Sequence, residues 1–457
     1  MRTSAALALG LALAVCFVRP AQAGDEDRFV RARLVEAIRL LDTFRVERSG
    51  QYLDAVRIGA EDQDGLPSSI AATGIGLVSL AMADALGLDP RAEEKAVHTL
   101  RNLVGDDATS GFSIPRSRRG WFPHFVDART GEPTWGSQGK FSTIDTALLA
   151  AGTAIAARYF NARSFTRGEG ESDVWRLGGR VVGGVRWASA IKSVERGLVH
   201  LVFKGEAEEE LMNVFANPFD EYAVLPCMAM RGEQLGHVTG PAHALFTRHY
   251  SRAQDLPMID FEGTSVIAKP SGNPIPHFTH LFPWFYCNAF NTQGAYAREL
   301  RELTRADRAW FARRRLERPM RTAAGGFPVE LWGLGAGAEV KFRTEGPRRG
   351  EVARTGYGVN SLARNPHDTA SPAIMAGLAS VFHNGDPGDP VRDLMRLWER
   401  GTCRYEHEGI PFLWRCSARD PALKVRKVEA VDFSTYLLGL AARDPAFGMP
   451  FLRNFNL

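Results

Sequence analysis

The strongest constraint in this sequence is an alternation between two kinds of helical periodicity. One kind is apolar on nearly every side: Pro67 to Leu86, Ser142 to Phe160 and Ser371 to His383. The other is amphipathic with a charged face: Phe29 to Leu41, Ala92 to Val104 and Ala306 to Met320. A helix apolar all round must be buried, and one with a polar face belongs to an outer layer. Trp175 to Val194, Phe219 to Arg231, Pro241 to Tyr250, Leu281 to Gln293, Val391 to Arg400 and Val431 to Ala442 continue the series to about a dozen helices. Few stretches read as strands. Buried and outer helices pair as hairpins, and six such pairs would close an all-α double ring, an (α/α)6 barrel. No fixed-length repeat supports the alternative, a solenoid.

The segments 105–141, 255–280 and 323–370 read as long loops rich in Gly, Pro and aromatics, and long loops in a compact domain usually serve function. With no low-complexity linker, residues 24–457 read as one domain. Residues 1–23 read as a cleavable export signal: Arg2, an apolar run from Ala5 to Val18, then Ala21-Gln-Ala23. The run is too short to favour a membrane span, so the expected location is periplasmic or secreted, with no membrane insertion after cleavage. A net charge of +4 with no basic run argues against nucleic acid. In an oxidising compartment Cys403 and Cys416, near in sequence, could pair. Cys227 and Cys287 sit in apolar stretches and read as buried thiols.

Carboxylates recur where loops enter apolar helices. Ser142 and Asp145 have capping-box spacing, so Asp145 reads as a helix cap that also stands at the mouth of a buried helix. Asp220 and Glu221 open another helix: one can cap while the other points elsewhere. His367-Asp368 ends a long loop before Pro372, and Asp432 precedes the last apolar helix. Aromatics crowd the same loops, among them Trp121, His124, Trp135, Phe141, Phe282, Trp284, Tyr286 and Trp332. Aromatic faces stack on sugar C–H surfaces, and carboxylates bind hydroxyls. His277-Phe-Thr-His280 has metal-like spacing, but Pro274 and Pro276 argue against a helix there, and no metal site is expected. Neither a dinucleotide fingerprint nor a serine nucleophile elbow is present.

Ser68-Ser-Ile-Ala-Ala-Thr-Gly-Ile-Gly-Leu77, Gly120-Trp-Phe-Pro-His-Phe125, Phe141-Ser-Thr-Ile-Asp-Thr-Ala-Leu-Leu149, Asp220-Glu-Tyr222, Leu281-Phe-Pro-Trp-Phe-Tyr286, Trp332-Gly-Leu334 and Asp368-Thr-Ala-Ser-Pro372 follow one another along the chain. In this order they resemble the glucoamylase-like domain family that includes glycoside hydrolase family 144, the endo-β-1,2-glucanases. The resemblance implies an exported (α/α)6 barrel that hydrolyses a β-linked glucan, an oligo- or polysaccharide, without a metal or other cofactor. It implies Glu221 as general acid, and Asp145 or Asp368 as the carboxylate that activates or positions water, with inversion expected. Trp121, His124, Phe141, Asp220, Trp284, Tyr286, Trp332, His367 and Asp432 would bind substrate. A polysaccharide lyase on the same architecture and a glycan-binding protein without turnover are the alternatives.

Overall fold

The computed structural model describes residues 24–106, 111–205, 209–210, 215–216, 218–219, 223–235, 239–252, 255–317, 328–343, 345–346 and 348–455. Fourteen α-helices run through these residues: α1 Asp25–Asp42, α2 Ile70–Ala85, α3 Ala92–Val104, α4 Thr143–Thr166, α5 Asp173–Gly183, α6 Val224–Leu235 and α7 Pro241–His249. They continue as α8 His277–Tyr286, α9 Asn288–Asn291, α10 Gly294–Glu317, α11 Pro372–Ala379, α12 Pro390–Glu399, α13 Ala430–Arg443 and α14 Gly448–Phe455.

The two kinds of periodicity separate in space. Every residue of α8 and α11 is buried, and α2 and α13 are buried along almost their whole length. Contacts pass from α2 to α4, α6, α8, α11 and α13, and from α13 back to α2. The amphipathic helices pack outside this circuit: α1 on α2 and α13, α3 and α5 on each other and on α2 and α4, α7 on α6, and α12 on α11. Outer helix α12 buries only Pro390, Val391, Leu394 and Leu397, one side of its cylinder. This arrangement is compatible with an α/α toroid.

Glycines set the tightest inner contact. A Cβ on Gly74 of α2 would lie 2.6 Å from the Leu148 carbonyl oxygen of α4, and Gly152 of α4 faces Gly74 in return. The backbones touch there because neither helix carries a side chain at the crossing.

Several expectations are corrected. The helix expected to reach Val194 stops at Gly183; a single 3₁₀ turn, Trp187–Ala190, and a strand, Ile191–Ser193, follow it. Pro276 does not block a helix around His277. It stands at the N-cap of α8, at φ −61°, where its missing N–H costs nothing. The stretch 281–293 is two helices, broken at Cys287. The expected long loops carry hairpins, Met258–Phe261 with Thr264–Ile267 and Ala336–Phe342 with Val352–Val359. Eighteen strands of two to eight residues are present among the described residues, most too short to show the alternation that marks a strand in sequence. Cys227 and Cys287 are not thiols. Because α6 and α8 are neighbours, their Cα atoms lie 6.4 Å apart, inside the range a disulfide spans, and they are bonded. Cys403 and Cys416 are bonded as well. No helix among the described residues is long and apolar enough to cross a membrane.

One short strand pair matters most for function. Ala55–Arg57 pairs antiparallel with Lys427–Glu429, and the Ala430 amide donates to the Asp54 carbonyl at 2.8 Å. A segment near the start of the chain is thereby laced to the entrance of α13.

Candidate active site

A cleft of about 1240 Å³ opens where these loops meet the inner helices. Four carboxylates line it, each placed by a different backbone device. Asp145 sits in the first turn of α4. The Ser142 hydroxyl accepts a hydrogen bond from the Asp145 amide at 3.3 Å and donates one to the Asp145 carboxylate. Ser142 is thus the N-cap, and Asp145 braces it from the first turn: one carboxylate oxygen takes the Ser142 hydroxyl, and the other lies 3.5 Å from His124 Nε2. The His124 ring stacks on Phe125, with centroids 3.7 Å apart.

Asp54 precedes the strand that holds the entrance of α13, and Glu429 ends the partner strand. Glu429 Oε2 accepts the Ala338 amide at 2.8 Å. Asp432 stands three residues on, in the first turn of α13, on the same side as Glu429. Tyr357, from the hairpin strand Val352–Val359, donates to Asp432 Oδ1 at 3.5 Å.

Burial governs the chemistry of this group. Asp432 is pushed up to about 8 by burial and by the nearby Glu429 charge, with Arg415 and the Tyr357 hydroxyl working against the rise. Burial lifts Glu429 to about 6 against the Ala338 hydrogen bond and Arg415. Asp54 likewise rises to about 6 through burial, eased by His124 and Lys427. Near neutral pH the cleft thus holds a proton on Asp432 beside Glu429 and Asp54, which are largely ionised. A proton held near working pH is one that can be passed on. Phe278, Phe282 and the half-exposed Trp135 add apolar faces to the lining.

Of the residues given site roles from the sequence, the structure brings together Asp145, His124 and Asp432, with Trp135 and Phe282 from the loop aromatics. Others lie elsewhere. Asp368 is 2% exposed and lies between two arginines. Arg314 donates to it at 2.8 and 2.9 Å, and Arg419 at 2.6 Å. It does not line the cleft. His367 accepts the Phe342 amide on its Nδ1 and is also turned away. Trp121, Trp284 and Tyr286 are core residues, and the Trp284 ring N–H is satisfied by Ser380 at 2.9 Å. Phe141 is buried in the strand Lys140–Ser142, and its two neighbours reach the cleft in its place. Trp332 faces a separate shallow groove, its ring N–H on Asp393 at 2.9 Å. Asp220 and Glu221 lie outside the described residues.

Sequence reasoning missed Asp54, Glu429 and Tyr357. The spacing of Glu429 and Asp432 was a usable signal, since positions i and i+3 share a helix side. Asp54 left none, because its place depends on a strand pairing across more than 370 residues.

No known family profile matches the sequence, and no curated protein matches it. Solved structures do. A candidate glucoamylase from Bacteroides fragilis superposes with a TM-score of 0.71 at 16% identity, covering 96% of each chain. The endo-β-1,2-glucanase from Chitinophaga pinensis, solved with sophorotriose and glucose, gives 0.68 at 14% identity over 94% of this chain and 95% of its own. A D-mannose isomerase gives 0.53 at 11% identity over 92% and 98%. At such identities the likeness speaks to the fold, and this fold serves more than one reaction, so function must be argued from the site.

Proposed function

We propose that the chain is a glycoside hydrolase acting on a β-linked glucan, with β-1,2-glucan the favoured substrate, in a single (α/α)6-barrel domain. The observation that carries this reading is the convergence of Asp54, Asp145, Glu429 and Asp432 in one aromatic-lined cleft. Hydrolysis through an oxocarbenium-like transition state needs one carboxyl that gives a proton and one that takes or directs one. Asp432, held protonated up to about pH 8 by burial and the Glu429 charge, is the donor we favour among the described residues. Asp145, fixed by Ser142 and near His124, is suited to positioning water. Solved structures of the same fold described as endo-β-1,2-glucanases support the choice of linkage.

Glu221 is the donor implied by the resemblance, and the pH dependence separates the two readings. If Asp432 donates, activity falls as pH rises through about 8. If Glu221 donates and Asp432 takes the proton from water, activity instead rises through that range. Inversion is proposed with either donor and is read from the anomer first released.

Export is part of the proposal. Two disulfides suit an oxidising compartment, and cell fractionation with N-terminal sequencing of the mature protein tests it. The direct test of activity is a panel of linear and cyclic β-glucans with products separated by size. Release of shorter β-1,2-glucans supports the assignment. Products absorbing in the ultraviolet indicate a lyase, and sugar-dependent thermal stabilisation without products indicates a binding protein.

A further inference from the structure

Behind the cleft acids lies one fully buried guanidinium, Arg415, which does not line the cleft. Its backbone is locked in place. Cys416 beside it is bonded to Cys403, the Tyr405 hydroxyl donates to the Arg415 carbonyl at 2.8 Å, and the Trp414 ring N–H donates to Lys427 O at 2.9 Å. Arg415 Nη1 donates to Gly358 O at 3.0 Å, whereas Nε and Nη2 make no hydrogen bond. Glu339 Oε2 is 3.6 Å from Nη2, too long for a closed pair. Gly337 sits between the arginine and the cleft acids: a Cβ there would meet both Arg415 Cδ and Glu429 Oε2 at 3.1 Å. A positive charge is thus buried next to Glu429 and Asp432, held on its other side by a loose ion pair with Glu339.

We propose that Arg415 is a positioning residue, one buried cation shared between Glu339 on one side and the Glu429–Asp432 pair on the other, which decides where the cleft acids ionise. The inference rests on the reading of that pair as the proton-transfer group.

The charged groups around it can be named, with Arg57, Lys140, Arg426 and Lys427 lining the cleft in front of the pair. Glu339 accepts from Asn360 at 3.1 Å and Thr369 at 3.3 Å, with Lys341 at 3.9 Å and His367 at 4.0 Å. Tyr357 reaches Asp432 from the hairpin. Asp54 faces the pair from the N-terminal segment, itself under the influence of His124, Asp145 and Lys427. Arg415 is the one cation among these that favours ionisation of both Glu429 and Asp432. Burial opposes its own charge, and Glu339 is the largest influence restoring it. Neutralising Glu339 therefore leaves more of the Arg415 field to the cleft acids, and neutralising Arg415 removes it.

Two variants should consequently move the same titrations in opposite directions. In Arg415→Met, Glu429 and Asp432 should titrate at higher pH by about one unit or more. In Glu339→Gln they should titrate at lower pH, and Arg415→Lys should stay near wild type. The readout is the carboxyl ¹³C NMR titration of the full chain, assigned by Glu429→Gln and Asp432→Asn, alongside the pH dependence of kcat. A purely structural arginine would alter stability and leave the titrations in place. If Arg415→Met does not fold, Glu339→Gln and Arg415→Lys carry the test. Unmoved titrations in folded Arg415→Met or Glu339→Gln overturn the inference. Moved titrations with an unmoved pH–rate profile uphold it and overturn the catalytic reading of the pair.

Discussion

Asp368 and Asp432 are both aspartates, both buried at loop–helix junctions, and both singled out from sequence, Asp368 as a candidate catalyst and Asp432 as a substrate-binding residue. Their surroundings set them apart. Asp368 takes three hydrogen bonds from two arginines that are aimed at it. Asp432 has a long phenol contact, an acidic neighbour and a share of one arginine. A buried carboxylate gripped by dedicated cations holds structure. One left short of positive charge keeps a proton that it can exchange. The difference lies in the neighbours, which a local motif does not show.

The contrast can be broken by substitution. The largest effect is expected for Asp432→Asn, which should lower glucan hydrolysis by about 10²–10⁴-fold with the fold intact. Circular dichroism and a reducing-sugar assay report both quantities. Glu221→Gln in the same assay tests the donor implied by the resemblance, and undiminished sugar release by that variant removes Glu221 from the mechanism. Asp368→Ala should behave inversely. Leaving Arg314 and Arg419 without their anion should cost roughly 3–5 kcal/mol of stability, seen as a lower Tm, while folded protein retains turnover.

A subtler effect lies in the pH dependence of stability. Asp432 binds its proton more tightly folded than unfolded, so its contribution is present at low pH and lost as pH rises from the ordinary carboxylate range through about 8. Asp432→Asn should therefore be the more stable protein at pH 8 to 9, by roughly 2–5 kcal/mol, and the gain should vanish below about pH 4. Equal pH dependence in the two proteins would mean that Asp432 titrates normally. The smallest effect is expected at the half-exposed Trp135. Trp135→Ala should raise KM a few-fold, about 1 kcal/mol, with little change in kcat.

Much of the helical layout was readable because each inner helix carries its own burial pattern. The all-round apolar stretch Ile70 to Ala83 announces the core without reference to any other segment. The ends were read less well. Gly183 stops a helix that periodicity would continue, and Pro276 starts one that its ring seemed to forbid. The cleft was legible only in part. Asp145 and Asp432 stand at helix entrances that sequence marks, and His124 lies among loop aromatics. Asp54 and Tyr357 reach the site through pairings distant in sequence or through a hairpin hidden in a presumed loop. The aromatics chosen as sugar platforms show the opposite error. Trp121 and Trp284 satisfy their ring N–H groups within the protein, on Ser189 and Ser380, and pack in the core.

The central claim is that an acid left short of neighbouring positive charge performs the proton transfer. It is tested most directly by the pH dependence of kcat/KM on linear β-1,2-glucan, measured from pH 5 to pH 10 for wild type and Asp432→Asn. The account predicts a wild-type limb that falls through about pH 8 and is absent from the residual activity of the variant. A wild-type profile flat through that range, or one shared unchanged by Asp432→Asn, would contradict it.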